Sequence, residues 1–248
     1  MRTFIAALLL TLAPSALAET ADEIMDKARE TRQVESAVQK VRMVIVGKTG
    51  SERTREMEIK LKRDGDTTKT LFRFESPADV AGTSFLQIDG PDTDEQMLYM
   101  PALKRLSRIS GSSRKGPFMG SDFSYEDLDL GEPGDATHKV VEEAGDSWVI
   151  DTDPGDASSY GRLRSTVDKS TYLAKRVEFF DDGGTLLKTL EVTETAQNGD
   201  KHVAKVSIMT TVKKGTSTRL EVIEQKFDVP AEELPDDIFT QAHLERGG

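Results

Sequence analysis

The sequence predicts a mainly β protein built on a single curved antiparallel sheet. Three observations carry that expectation. Over most of the chain after Ala37 apolar residues recur at every second position, the period of a strand with one apolar face. Turn signals rich in Gly, Asp and Asn separate these runs by two to five residues, connections that join antiparallel neighbours, whereas parallel strands need a long crossover. Helical spacing is confined to the N-terminus and a few short pieces. A sheet of about a dozen strands cannot stay flat, because its twist curls it toward a barrel or a sandwich.

The elements follow in order. Met1-Arg2, an apolar run from Phe4 to Leu12 and the small residues Ala16 and Ala18 have the order of a secretory signal, with cleavage expected after Ala18. That run is well short of the roughly 20 residues needed to span a bilayer. Residues 1–18 are therefore read as a signal and 19–248 as one domain, exported and soluble. The chain has no cysteine, which excludes disulfides and a lipid-modified N-terminal cysteine. Its net charge is −11, and loss of Arg2 with the signal makes it −12, which argues against nucleic acid as a partner.

Thr20-Ala21-Asp22-Glu23 has the spacing of a capping box, and Ile24, Met25 and Ala28 follow on one side of a helix reaching about Gln33. Met57, Ile59 and Leu61 then alternate with charged residues between the turns Lys48-Thr49-Gly50 and Asp64-Gly65. Phe72 and Phe74, then Phe85, Leu86 and Ile88, then Met97 to Met100 continue the meander. So do Trp148 and Ile150, Leu163, Val177 and Phe179, Leu186 to Val192, Ala204 to Val212, and Leu220 with Val222. Further turns stand at Asp182-Gly183-Gly184, Asn198-Gly199-Asp200 and Lys214-Gly215. Leu234, Ile238, Phe239 and Leu244 mark a tail of loop and helical turn, and the helical pieces are expected to cover the inner face.

One stretch, Gly111 to Leu130, breaks the alternation. Gly111, Gly116, Gly120 and Pro117 exclude a regular strand or helix up to Ser121, which then suits the N-cap of a short helix with acids in its first turn. Phe118, Met119, Phe123 and Tyr125 crowd this loop, which is read as a lid or plug; insertion into the protein's own core explains them equally. Between Met97 and Tyr125 fall three of the eight methionines and four of the fifteen aromatics, a lining suited to acyl chains or to core filling. Lys104, Arg105, Arg108, Arg114 and Lys115 form a basic island in an acidic protein, fit to meet an anionic headgroup or an acidic partner, or to pair with the acids of Asp122 to Asp129.

Catalytic and metal patterns are weak. His138, His202 and His243 have no ligand neighbours at metal spacing. Ser112-x-x-Lys115 and Lys48-Thr49-Gly50 occur in reversed order and in turns, against their use in a β-lactam-recognising site. Asp92-x-Asp94 and Asp151-x-Asp153-x-x-Asp156 lack the grammar of a calcium loop. Asp122 and Glu126, on one face of the expected helix, remain as a pair for acid/base work or for helix-start electrostatics. No cofactor, metal or catalytic residue is assigned.

The run from Leu98 to Leu130 resembles the periplasmic outer-membrane lipoprotein-sorting family, the LolA-like proteins, and within it the subgroup found with exporters of the resistance-nodulation-division (RND) type. Tyr99-Met100-Pro101-Ala102-Leu103, Arg108-Ile109, Phe118-Met119-Gly120-Ser121-Asp122-Phe123 and Tyr125-Glu126-Asp127 carry the resemblance. Phe74-Glu75-Ser76-Pro77 and Gly82 to Leu86 extend it over nearly the whole mature chain. The resemblance implies a half-open, incomplete β-barrel, with helices covering a concave apolar face that binds acyl chains, and no catalytic residues. On this reading Tyr99, Met100, Phe118, Met119, Phe123, Tyr125 and Trp148 line or cover the cavity. Arg105, Arg108, Arg114 and Lys115 meet a headgroup or a partner, such as an inner-membrane RND-type exporter or an outer-membrane acceptor. The expected function is carriage of a lipoprotein or lipid from the inner toward the outer membrane; the alternative is a sensor or adaptor of the same fold that carries nothing.

Overall fold

The computed structural model describes residues 19–129, 135–199 and 201–246. The expected signal over residues 1–18 lies outside them, as do Leu130 and the Asp200 of one expected turn. Helix α1, Ala21–Arg32, opens on the capping box: the Glu23 N–H donates to Thr20 Oγ1 at 3.3 Å and the Thr20 N–H to Glu23 Oε2 at 2.8 Å. The strands of the first half are β1 Ser36–Val46, β2 Glu52–Asp64, β3 Thr67–Ser76, β4 Ser84–Gly90, β5 Thr93–Met100 and β6 Arg105–Arg108. Those of the second half are β7 Thr137–Ala144, β8 Ser147–Asp153, β9 Arg162–Asp168, β10 Ala174–Phe180, β11 Leu186–Asn198, β12 Lys201–Thr211 and β13 Thr216–Phe227, followed by the short helix α2, Gln241–Arg246.

All thirteen strands form one sheet in the order β6-β5-β4-β3-β2-β1-β13-β12-β11-β10-β9-β8-β7. Each half is a meander, and antiparallel pairing of β1 with β13 joins the halves. The sheet is not closed. Its two edges, β6 and β7, are consecutive in sequence, and the described residues 109–129 that follow β6 cross from its edge toward the other half of the sheet. A segment that crosses a sheet has no partner strand along its length, which is why this stretch carries no alternation.

The sheet wraps around one face. At about 4.8 Å per strand, β3 and β10 would lie roughly 29 Å apart if it were flat. Instead Phe72 and Phe74 of β3 share one core with Phe179 of β10. Ile150 faces the same interior, because it pairs with Ser165, which pairs in turn with Val177 of that core. There α1 covers it, packing Ile24 and Ala28 on Ile150 and Val167.

The tail differs from expectation. Val229, Leu234, Phe239 and Leu244 pack on Leu71, Leu86 and Met97, whose neighbours in sequence, Phe72, Phe85 and Leu98, face inward. The tail therefore covers the outer face. Strands β3 to β5 are apolar on both faces here and need a cover on each.

Candidate functional site

The crossing segment folds into the sheet's interior. Three 3-10 turns, Gly111–Lys115, Phe118–Gly120 and Glu126–Leu128, punctuate it. Between them residues 116–125 form a miniature hairpin. The Phe118 N–H donates to the Phe123 carbonyl at 2.7 Å and the Tyr125 N–H to the Gly116 carbonyl at 3.2 Å. Its tip turns through left-handed residues, Met119 at φ 49° and Gly120 at φ 71°.

The expected helix at Ser121 is absent. Ser121 closes the second turn, and the Asp122 N–H is taken by Thr218 Oγ1 at 2.9 Å. The cap falls instead on the next turn, where the Asp127 N–H donates to Ser124 Oγ at 3.2 Å and the Ser124 N–H to Asp127 Oδ2 at 2.6 Å. Asp122 and Glu126 consequently share no helix face.

The aromatic residues point inward. Phe118 has 0% exposure and stands among four rings, with centroids at 5.8 Å from Phe72 and Phe74 and 5.5 Å from Phe85 and Tyr125. Phe123 and Tyr125 are buried in the same core, and half-buried Met119 and Met100 pack against it. Burial pushes the Tyr125 phenol above its ordinary pKa. Of the residues expected to line a cavity, these five come together.

Two do not. Tyr99 alternates with Met100 and lies on the outer face beneath the tail. Trp148 packs at the α1 end, 5.6 Å from Tyr172 between ring centroids, with Lys169 Nζ over its ring. Alternation alone could have separated Tyr99 from Met100; nothing local could have assigned Trp148 to the helix end.

Polar pins from both halves of the sheet hold the segment on its inner face. The Asp122 carboxylate accepts from the hydroxyls of Thr211 at 2.6 Å and Thr218 at 2.8 Å, and from Thr216, all at the β12–β13 hairpin. Glu126 accepts from Ser158 Oγ at 2.7 Å, from the Ser159 N–H at 2.8 Å and from Ser159 Oγ at 2.5 Å. Asp127 pairs with Lys188 Nζ at 2.8 Å and accepts from the Tyr160 hydroxyl at 2.6 Å. Burial, with the Asp127 charge beside it, raises the Tyr160 phenol far above its usual range. On the β2 side Arg55 Nη1 donates to the Met119 carbonyl. The two carboxylates once considered for acid/base chemistry are thus engaged as anchors.

The basic island divides. Arg114 is clasped by Asp94 and Asp129, whose bonds hold its guanidinium above its ordinary pKa although burial acts against the charge. Arg108 pairs with Glu95 at 3.1 Å. Lys104, Arg105 and Lys115 are exposed, with no ion pair seen among the described residues, and Leu103, next to Lys104, is 64% exposed. Asp151 of the candidate calcium run is bound by Arg162 and Arg164, which lower its pKa, and no acid or histidine cluster of metal-binding form occurs among the described residues.

Pairing across β5, β4, β3 and β2 also sorts the inner face into rows. Leu98, Phe85, Phe72 and Ile59 form an aromatic and aliphatic row. Gln96, Gln87, Thr70 and Leu61 come next, then Asp94, Asp89, Thr68 and Arg63. The face therefore grades from apolar through amide to charged over two pleats. Sequence reading missed this gradient because it appears only once the register is fixed.

Comparison with known proteins places the fold. A crystal structure of a domain named as an outer membrane lipoprotein-sorting protein, from Vibrio parahaemolyticus, is 34% identical, covers 90% of this chain and 97% of its own, and superposes with a TM-score of 0.80. The chain belongs to this outer membrane lipoprotein-sorting protein family. A family model described as an uncharacterized protein matches residues 66–246. A DUF1329 family protein from Desulfovibrio piger (24% identical, 92% of this chain, 100% of its own, TM-score 0.81) has the same fold. So does a LolA superfamily protein from Nitrosomonas europaea (21% identical, 91% of this chain, 100% of its own, TM-score 0.72). Among curated proteins none matches. The open thirteen-stranded sheet is thus that of the LolA-like proteins, and no helix among the described residues is long and apolar enough to cross a membrane.

Proposed function

We propose that the mature protein is a periplasmic carrier that encloses the acyl chains of a lipid or lipoprotein against its inner face and moves them from the inner toward the outer membrane. The observation that carries this reading is the plug itself. The interior of an open sheet is filled by Phe118, Phe123 and Tyr125, which arrive on a short hairpin and not on a strand. Such a filler is replaceable by another apolar body of similar bulk. Two chains of roughly sixteen carbons represent on the order of 25 kcal/mol of apolar transfer, so a lipid crossing water needs this kind of cover. Release favours an adaptable lining over a rigid pocket, and Met43, Met57, Met100, Met119 and Met209 supply it.

Exposed Leu103, Lys104 and Arg105 at the β5–β6 turn suit contact with an anionic membrane surface or with an inner-membrane exporter of the RND type. The lipoprotein-sorting name of the Vibrio relative and the sequence likeness to the exporter-associated subgroup support the reading. The filled interior favours one rival, an adaptor of the same fold that docks on a membrane partner and carries nothing. Native mass spectrometry of protein purified from the periplasm without detergent, with extraction of bound lipid, separates them. A defined acylated molecule at one per chain is expected, and a bare mass that persists after incubation with membranes overturns the carrier.

A further inference from the structure

The charged row of the inner face ends against the last turn of α1. There Arg29 and Arg32 from the helix, Arg63 from β2, Thr68 from β3 and Asp89 from β4 line a pocket of about 40 Å³. A single water needs about 10–15 Å³, so the space holds more than one water and has room for a small anion. Three arginines thus line one small pocket in a protein of charge −11, Arg29 also pairing with Asp26 at 2.9 Å. A guanidinium stays charged and presents a planar fork that matches two oxygens of a phosphate.

Arg63 is only half used. Its Nη1 donates to Gln33 Oε1 at 3.0 Å, while its Nε is buried without a partner. One row deeper Gln96, 3% exposed, has neither amide atom partnered, and Gln87 Oε1 is likewise unpaired. Buried donors and acceptors are costly to leave unmatched, and four of the five such side-chain atoms among the described residues belong to Arg63 and to the adjoining amide band of Gln87 and Gln96, the fifth being Gln225 Oε1 on β13; that grouping marks a place fit for a polar ligand. That band lies between the pocket and the aromatic row holding Phe118.

We propose that the pocket is a phosphate subsite, with Arg63 as its principal ligand. The amide row would hold the ester region beside it and the aromatic row the acyl chains. The ligand class is accordingly a phosphate-bearing amphiphile, in preference to an acylated polypeptide without phosphate. The acyl half of this proposal rests on the carrier reading; the phosphate half stands on the pocket alone.

The test uses delipidated protein and three probes, read by calorimetry and by amide shifts: dihexanoyl phosphatidylglycerol, dihexanoylglycerol, which lacks the phosphate, and inorganic phosphate. Wild type is expected to bind the phospholipid at least about tenfold more tightly than the diacylglycerol. Arg63→Gln should remove that preference, a loss of about tenfold or more from one charge-assisted contact, and leave diacylglycerol affinity unchanged. Arg29→Gln, on the helix surface, should weaken phospholipid binding in the same direction in a protein whose core is untouched. Equal affinity for the two lipids, or a preference that survives both substitutions, overturns the subsite and leaves the carrier standing. Saturable binding of inorganic phosphate that depends on Arg63, with neither lipid bound, supports the subsite for free phosphate and overturns the carrier.

Discussion

The crossing segment, residues 109–129, and the tail, residues 229–246, occupy opposite faces of the same strands and are held there by different chemistry. The tail is seated by Val229, Leu234, Phe239 and Leu244, and its polar ties are peripheral: Asp236 to Lys62 at 3.0 Å and to Lys69 at 3.2 Å, and Glu233 to Lys226 at 2.7 Å. The crossing segment has an aromatic tip on a stem pinned by Asp122, Glu126 and Asp127. When the tail leaves, the main loss is apolar surface exposed to water, together with a few ion pairs that solvent already reaches. When the segment leaves, the stem's pins exchange protein partners for water, a net change of about 1.5–3 kcal/mol for each hydrogen bond to a charged group. Aromatic burial is then the main term holding the tip, and an acyl chain can supply that term in its place.

The sharpest break of this comparison is a pair of truncations. Phe118→Ala and Phe239→Ala should each lower stability by about 3–5 kcal/mol in denaturant unfolding, since both rings are enclosed. A saturating single-chain amphiphile should restore much of the loss at Phe118 and little at Phe239. Equal rescue at both sites would mean that the two faces are not distinguished as argued. Next in size is Lys188→Met, which strands the Asp127 carboxylate, its side chain 2% exposed, without its cation. A loss of about 3 kcal/mol is expected, much of it recovered when Asp127→Leu is added, because replacing a buried pair costs less than breaking it.

How far the sequence disclosed these regions depends on the range of the signal. The capping box of Thr20 and Glu23, the alternation of Met57, Ile59 and Leu61, and the turn at Asp64-Gly65 are local, and each stands where it was expected. The crossing segment announced itself by its lack of alternation, and its motif named the family. Its helix was misjudged because Ser121-Asp122 reads as a helix start unless Thr211, Thr216 and Thr218, roughly ninety positions away, are known to claim the carboxylate. The period-two spacing of Thr216 and Thr218 places both on one face, but no local rule says what they face. Alternation puts Tyr99 and Met100 on opposite faces, but in a strand apolar on both sides it does not say which of them faces inward. Arg63, Arg29 and Arg32 carried no signal, since their convergence rests on register and on where α1 ends.

A smaller effect separates the pins from the tip. Asp122→Asn keeps an acceptor but removes the charge that three hydroxyls satisfy, and should cost about 1–2 kcal/mol. Hydrogen exchange should show the cost locally. Amides inside the hairpin, those of Phe118, Ser121 and Tyr125, should exchange faster, while Leu234 and Leu244 in the tail stay protected. Faster exchange in both regions would mean that the pins stabilise the whole sheet and not the segment.

The smallest expected effect belongs to the tail and is a pH dependence. Hydrogen bonds from Lys62 and Lys69 lower the Asp236 pKa below its unfolded value. A depressed carboxylate contributes stability that is fully present above the unfolded value, about 3.9, and lost as pH falls through the folded one. Tail amides of the wild type should therefore lose protection on the acid side of that value, and Asp236→Asn should show the weaker protection already at neutral pH. Because Asp236 is exposed, added salt should shrink the difference. The hairpin amides should not follow it, since Asp236 pins only the tail. Parallel loss in both regions at the same pH would show that the two covers open together through the strands they share.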